Sequence, residues 1–196
     1  MYLRAFLFGL LLLFCNKIVL GGNPSLVVTV KKVDDTFIVD AAMSAPVKLQ
    51  TAWNVLNDYE RMHEYVENLR SSQIFMRDGN VLRIRQTGVA KFGILSFEYQ
   101  SEREIRLEPM KRMFAKSLSG SVKRMESETE LNVTERGIQL KHYAEIVPDS
   151  AIAQIFGVPF VRHEIEQQFS QMLSEMIRRE SSTVLGSSRI NTPPID

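Results

Sequence analysis

Three histidines and one arginine carry the candidate chemistry of this 196-residue chain. His163-Glu164-Ile165-Glu166-Gln167 starts like the HExxH helix of zinc proteases. Gln167 stands where a second histidine would complete an i, i+4 ligand pair, so the metal motif fails. His63 belongs to a short, mostly polar stretch. Only His142 falls on an apolar strand face, between Leu140 and Ala144. It is either a core histidine with satisfied ring nitrogens or a polar contact to the head group of a bound molecule. Arg103 poses the same choice, because strand alternation puts it on an inner face with Tyr99 and Ile105. A bulge or its long stem returns the guanidinium to water, or it stays inside and is paired, since a lone buried charge is very costly. A ligand carboxylate or phosphate would serve as that partner. Glu145 has the opposite strand parity from His142, so the two form no obvious acid–base dyad. There is no Gly-rich phosphate loop, and Ser117-Leu118-Ser119-Gly120-Ser121 lacks the flanking glycines of a nucleophile elbow. The residues predict no catalytic group, no metal and no cofactor.

The elements that position these residues follow from hydrophobic period. Residues 37–43 read as a strand. Pro46 opens a helix over 47–56, with Leu49, Trp53 and Leu56 on one side. A second short helix over 60–66 shows Met62, Tyr65 and Val66. From Ser71 to Val147 the period is two, cut by turn signals at Asp78-Gly79-Asn80, Phe92-Gly93, Glu108-Pro109 and Arg136-Gly137. In 95–107, Phe97, Tyr99, Ile105 and Leu107 share one face, while Glu98, Gln100, Glu102, Glu104 and Arg106 share the other. One face of the sheet is therefore wet. A hairpin closing at Phe92-Gly93 predicts Ile84 opposite Ser101 and Arg83 opposite Glu102. In 113–122, simple parity turns Ala115, Ser117 and Ser119 inward, where small side chains leave space; a bulge would turn Phe114 and Leu118 inward instead. Leu131, Val133, Ile138, Leu140, His142, Ala144 and Ile146 complete the sheet.

A short helical turn over 151–156 precedes Gly157, and Pro159 starts a long helix to about Glu180. Val161, Ile165, Phe169, Met172, Leu173, Met176 and Ile177 form one stripe at steps of three and four. Arg178 and Arg179 suit the negative end of the helix dipole.

The ends of the chain predict export. One basic residue, Arg4, precedes an apolar run over 5–14, and the small residues Gly21 and Gly22 follow, as in a secretory signal cleaved near them. The run is short for a spanning helix, which needs about 20 apolar residues; an uncleaved membrane anchor over 1–22 is the alternative. Removing this leader takes Arg4 and Lys17 and no acid from 24 basic and 23 acidic residues, which leaves a net charge near −1. That balance excludes a basic nucleic-acid footprint. Cys15 leaves with the leader, so the remaining domain, 23–180, uses no disulfide. Residues 181–196, rich in Ser, Gly, Thr and Pro, read as a disordered tail.

Ser44-Ala45-Pro46, then Ala52-Trp53-Asn54-Val55-Leu56-Asn57-Asp58-Tyr59-Glu60, Glu64-Tyr65-Val66 and Asn68-Leu69-Arg70-Ser71-Ser72 resemble the polyketide cyclase/dehydrase and coenzyme-Q-binding branch of the START-like superfamily. The resemblance implies an α+β helix-grip fold, in which a curved antiparallel sheet wraps a long C-terminal helix and two short helices follow the first strand. It implies an apolar cavity between sheet and helix, holding a lipid, sterol, quinone or polyketide. The chain departs from the pattern at Glu128-Thr129-Glu130, where relatives often carry a large aromatic residue, so a roomier site is expected. Its leader is a second departure, since many relatives work inside cells. The ligand-facing set expected from faces and fold is Trp53, Tyr65, Leu82, Ile84, Phe97, Tyr99, Arg103, Leu140, His142, Phe160, Ile165, Phe169, Met172 and Met176. The expected function is an exported carrier of an apolar small molecule or lipid, with transient membrane contact and no nucleic-acid partner. A cyclase/dehydrase-type enzyme using His142 or Arg103, and a protein-interaction module, are the alternatives. The oligomeric state is left open.

Overall fold

The computed structural model describes residues 23–149 and 157–190. The leader, the predicted turn over 151–156 and the last six residues of the tail lie outside them. The elements are β1 (Ser25–Val33), β2 (Thr36–Ala45), α1 (Leu49–Asn57), a 3-10 helix (Tyr59–Glu64), β3 (Leu69–Asp78), β4 (Val81–Phe92), β5 (Leu95–Glu108), β6 (Arg112–Gly120), β7 (Val122–Thr134), β8 (Gly137–Pro148) and α2 (Val158–Ile190). The strands form one antiparallel sheet in the order β1-β2-β8-β7-β6-β5-β4-β3, curved around α2 as the helix-grip fold requires.

Strand β1 was not expected. It pairs with β2 from Ser25↔Ser44 to Val33↔Thr36. Its alternation is physical: Val28 and Val30 are buried in the core, while Val27 on the other face is 64% exposed. At the opposite side of the sheet, the β4–β5 register differs from the predicted one by two residues. Ile84 faces Arg103 and Arg83 faces Glu104, because the turn closes around Gly93-Ile94, with Phe92 opposite Leu95 and Gly93 at a φ of 60°. A slip of two keeps every side chain on its predicted face. It also keeps opposite charges together outside, Arg83 with Glu104 at 3.2 Å and Arg85 with Glu102 at 2.7 Å.

In β6, Met113 is buried, and Ala115 and Ser117 follow the same parity. A bulge opposite Glu102 and Arg103 then breaks it. Ser119 turns outward to bond Glu102, Phe114 lies outside under the Arg106 guanidinium at 4.6 Å, and Leu118 is 42% exposed. The inward turn of Ser119 is thus corrected. The β6–β7 ladder runs only from Arg112↔Glu130 to Lys116↔Glu126. Beyond it β6 stays with β5 and β7 with β8, and the Met125 N–H donates to Ser117 Oγ at 2.8 Å.

Helix α2 packs Phe169, Met172, Leu173 and Met176 against the sheet and α1. It continues ten residues past the predicted end, so the disorder expected from Ser181 does not hold as far as Ile190. Ser181, Ser182 and Thr183 donate their hydroxyls to the carbonyls of Ile177, Arg178 and Arg179, within the helix. Polar residues that favour loops are accommodated this way in helices. Near this end Glu175 is only 6% exposed and accepts from Arg178 at 2.6 and 2.7 Å and from Arg179 at 2.6 Å. Arg179 also lies 2.7 Å from the Asp58 carboxylate, just after α1. Glu180 accepts from the Lys48 N–H and the Thr51 hydroxyl. These contacts fasten α2 to α1.

Gly137 starts β8 at a φ of 126°, and a Cβ there would lie 2.1 Å from the Ala45 carbonyl oxygen. Gly137→Ala is therefore expected to cost about 2–3 kcal/mol, from backbone strain and the clash together. Urea unfolding followed by circular dichroism measures it.

Candidate functional site

Between the sheet and α2 lies a cavity of about 210 Å³. Its walls come from five parts of the fold. The α1 end and 3-10 helix give Leu56, Tyr59 and Met62; β5 gives Arg103 and Ile105; β6 gives Met113 and Ala115. From β7 come Met125, Ser127 and Thr129, from β8 His142, Ala144 and Ile146, and from α2 Ile165, Gln168, Phe169 and Met172. A volume below the usual ~300 Å³ for ligand pockets fits one ring system or a short chain. A wider groove of about 410 Å³ lies on the outer face of the sheet, but it is lined mostly by charged side chains such as Glu104, Lys116, Glu126 and Glu145. Several of these are already in ion pairs, Lys116 with Glu104 among them.

Of the residues expected to face a ligand, the structure brings Arg103, His142, Ile165, Phe169 and Met172 to the cavity. Leu82, Ile84, Leu140 and Met176 are inward but sealed in the core, each 1% exposed or less. Trp53, Tyr65 and Tyr99 are half-buried against that core. Tyr65 donates to the Val55 carbonyl at 2.8 Å, and Tyr99 to the Asn68 carbonyl at 3.4 Å. Phe97 and Phe160 are half-buried away from the lining. Tyr59, Met125, Ser127 and Thr129 were not anticipated. Thr129 is 8% exposed although glutamates flank it; strict alternation with buried Leu131 was the signal that could have found it.

The polar part of the cavity is built from paired side chains. Arg103 donates from Nη2 to Gln86 Oε1. Gln86 is 2% exposed and donates from Nε2 to Ser72 Oγ at 2.9 Å. The Arg103 Nε has no acceptor. Burial lowers the guanidinium's pKa, while the Tyr59 and Tyr99 phenols act the other way. An arginine starts so high that it stays a cation at neutral pH. Burial pushes both phenols up to about 12, against the pull of Arg103, so they stay neutral.

His142 shares a 2.8 Å hydrogen bond between Nδ1 and Thr129 Oγ1, and its ring stands edge-on to Phe169 with centroids 5.0 Å apart. Burial first, and Arg103 second, lower its pKa to about 4. It is therefore neutral at pH 7 and a weak base. The cavity lining contains no Asp or Glu. The arrangement is suited to orienting a polar head group above an apolar body.

The shift of His142 has a consequence for stability. The unfolded histidine binds its proton near pH 6.5 and the folded one only near 4. Protonation therefore favours the unfolded chain, and stability falls as pH drops through this interval. His142→Gln should flatten the melting temperature between pH 6.5 and 4 relative to the wild type, as read by thermal scans in matched buffers.

Among the described residues no group of three His, Cys, Asp or Glu side chains could hold a metal ion.

A family model described as polyketide cyclase/dehydrase and lipid transport matches residues 45–178. No curated protein matches the sequence. Among solved structures, a protein of Thermus thermophilus is similar at a TM-score of 0.63 and 14% identity, covering 72% of this chain and 98% of that one. The Zhui aromatase/cyclase of Streptomyces sp. R1128 gives 0.59 and 14%, covering 74% and 95%. A STAR-related lipid transfer protein of Xanthomonas axonopodis gives 0.58 and 9%, covering 78% and 98%. The matched segment runs from the end of β2 through both short helices, the rest of the sheet and most of α2, and it contains every residue of the cavity: the chain belongs to the polyketide cyclase/dehydrase and lipid transport family.

Proposed function

We propose that this chain is an exported binding or carrier protein for an apolar, lipid-like molecule held between the sheet and α2. The observation that carries the reading is the cavity itself, with apolar walls and the two polar groups Arg103 and His142. Its family's lipid-transport branch and the lipid transfer protein among its structural neighbours support the ligand class. A lipid chain, sterol, quinone or polyketide all have the apolar body that such walls select. The small volume favours a short chain or a single ring system. Export follows from the leader over 1–22, with cleavage near Gly21 or Gly22 and membrane anchoring as the alternative. Transient membrane contact would let such a carrier load and unload.

A cyclase/dehydrase activity is the second reading, favoured by the presence of Arg103 and His142 in one cavity and by the aromatase/cyclase neighbour. Against it stands the weakness of the base. A general base works best when its pKa lies near the operating pH, and that of His142 lies near 4. A protein-docking module would need no cavity under the helix.

Native mass spectrometry of the exported protein, followed by solvent extraction, tests the binding reading. An apolar small molecule should co-purify, on a chain whose mass begins just after the leader. Repeated recovery of empty protein that takes up no fluorescent lipid analogue overturns it. Conversion of a polyketide-like substrate in a purified assay would establish the enzyme instead.

A further inference from the structure

The cavity holds a cation that the fold does not neutralise. Arg103 lies on β5 opposite Ile84, so strand geometry turns it inward. Its side-chain partner is the amide of Gln86, and among the described residues no carboxylate pairs with it. Glu164 on α2 is engaged elsewhere, accepting from Asn68 at 2.9 Å. The segments outside the described residues that precede β1 and α2, 1–22 and 150–156, contain no acidic residue.

The orientation of Gln86 is also fixed. Its amide nitrogen is taken by Ser72 Oγ and lies 3.5 Å from the Met62 sulfur. Its oxygen is thereby left for Arg103. An amide satisfies one N–H of the guanidinium and none of its charge. A glutamate in the same place would do both.

We propose that Gln86 sets the charge of the ligand, and that the ligand is an amphiphile whose anionic head group, a carboxylate, meets Arg103 inside the cavity. This rests on the reading of the cavity as a ligand site. A buried cation without a counter-ion is costly. The fold has already desolvated the guanidinium, so an entering anion finds it preorganised. A carboxylate is preferred to a phosphate because the lining offers a single cation, with no lysine or second arginine. The neutral His142 adds a hydrogen-bonding group without adding charge.

The test compares ligands that share one tail. Decanoate, decanol and decyl phosphate are titrated into the exported chain by calorimetry. Decanoate should bind at least about tenfold more tightly than decanol, as expected when a hydrogen bond gains a full charge. It should also bind more tightly than decyl phosphate. Gln86→Glu should remove at least about tenfold of the decanoate affinity while decanol binding is kept. Gln86→Leu, which keeps the cavity neutral apart from Arg103, should retain the preference for decanoate and guards against a folding defect in the glutamate variant. Equal binding of decanoate and decanol by the wild type overturns the charge assignment and leaves the cavity reading intact. So does a Gln86→Glu variant that keeps the preference. Tighter binding of decyl phosphate replaces the carboxylate. Failure of all three probes to bind overturns the ligand site itself.

Discussion

Glu175→Ala should destabilise the folded chain by about 3–5 kcal/mol, the cost of leaving buried charge without its partner. Glu175 is buried on α2 and accepts three short hydrogen bonds from Arg178 and Arg179. Its loss leaves Arg179, itself half-buried and packed over the Tyr65 ring at 5.5 Å, with only Asp58 to balance it. The contact between α2 and the end of α1 would weaken as a unit. The pH dependence gives a second signature. Hydrogen bonding to Arg178, opposed by burial and helped by Arg179, holds the Glu175 carboxyl at about 2. In the unfolded chain it returns to the ordinary carboxylate range. The wild type therefore has the full contribution at neutral pH and loses it as pH falls from about 4.5 toward 2. The alanine variant should start lower and show a shallower acid limb. Chemical denaturation at several pH values measures both; equal stability of the two proteins at neutral pH would refute the role of Glu175.

The double variant Arg103→Met with Gln86→Leu should move the other way, raising stability by about 1–4 kcal/mol, the range seen when buried charged networks are replaced by apolar groups of similar size. Either change alone is expected to gain less. Arg103→Met leaves the Gln86 oxygen unsatisfied, which costs about 1–3 kcal/mol. Gln86→Leu leaves the guanidinium without its acceptor and the Ser72 hydroxyl without its donor. A double-mutant cycle by urea denaturation separates these terms. Reduced stability of the double variant would show that the Arg103–Gln86–Ser72 chain holds the fold together. A gain, accompanied by weaker ligand capture, would show that the polar chain is kept for binding.

The architecture was legible because two periods are unusually clean. The alternation of Phe97 to Leu107 and the stripe from Val161 to Ile177 each demand one apolar partner surface, and each is the other's solution. The motif around Trp53 and the turn signals supplied the order. What was missed has local causes. The Leu26-Val27-Val28-Thr29-Val30 run has the composition of a strand, but it follows an apolar leader and blends into it. The β4–β5 register depended on whether Gly93 was the second or first residue of the turn, and alternation cannot distinguish shifts of two.

The site was legible in part. Parity placed Arg103 and His142 inward, and both line the cavity. It also placed Leu82, Ile84 and Leu140 inward, yet these meet other side chains and not space. Periodicity reports which way a side chain points. Whether a void lies beyond it depends on how elements distant in sequence fill the interior. Gln86 illustrates the limit from the other side. On a strand bearing two arginines it reads as one more exposed polar residue, and only the fold reveals the serine and arginine that fix it.

The short β6–β7 ladder has a mechanical meaning. With five paired positions, Arg112↔Glu130 to Lys116↔Glu126, the sheet is two wings joined by a narrow hinge. Ala115 and Ser127, the small pair next to its open end, line both the interior cavity and the groove outside. Below them a single serine hydroxyl catches the Met125 amide across the gap. Splaying the wings there widens the interior by breaking one side-chain contact, whereas lifting α2 would require its buried ion pairs to part. The compliance of this protein is thus concentrated in its sheet, and the helix is the rigid member against which the sheet flexes.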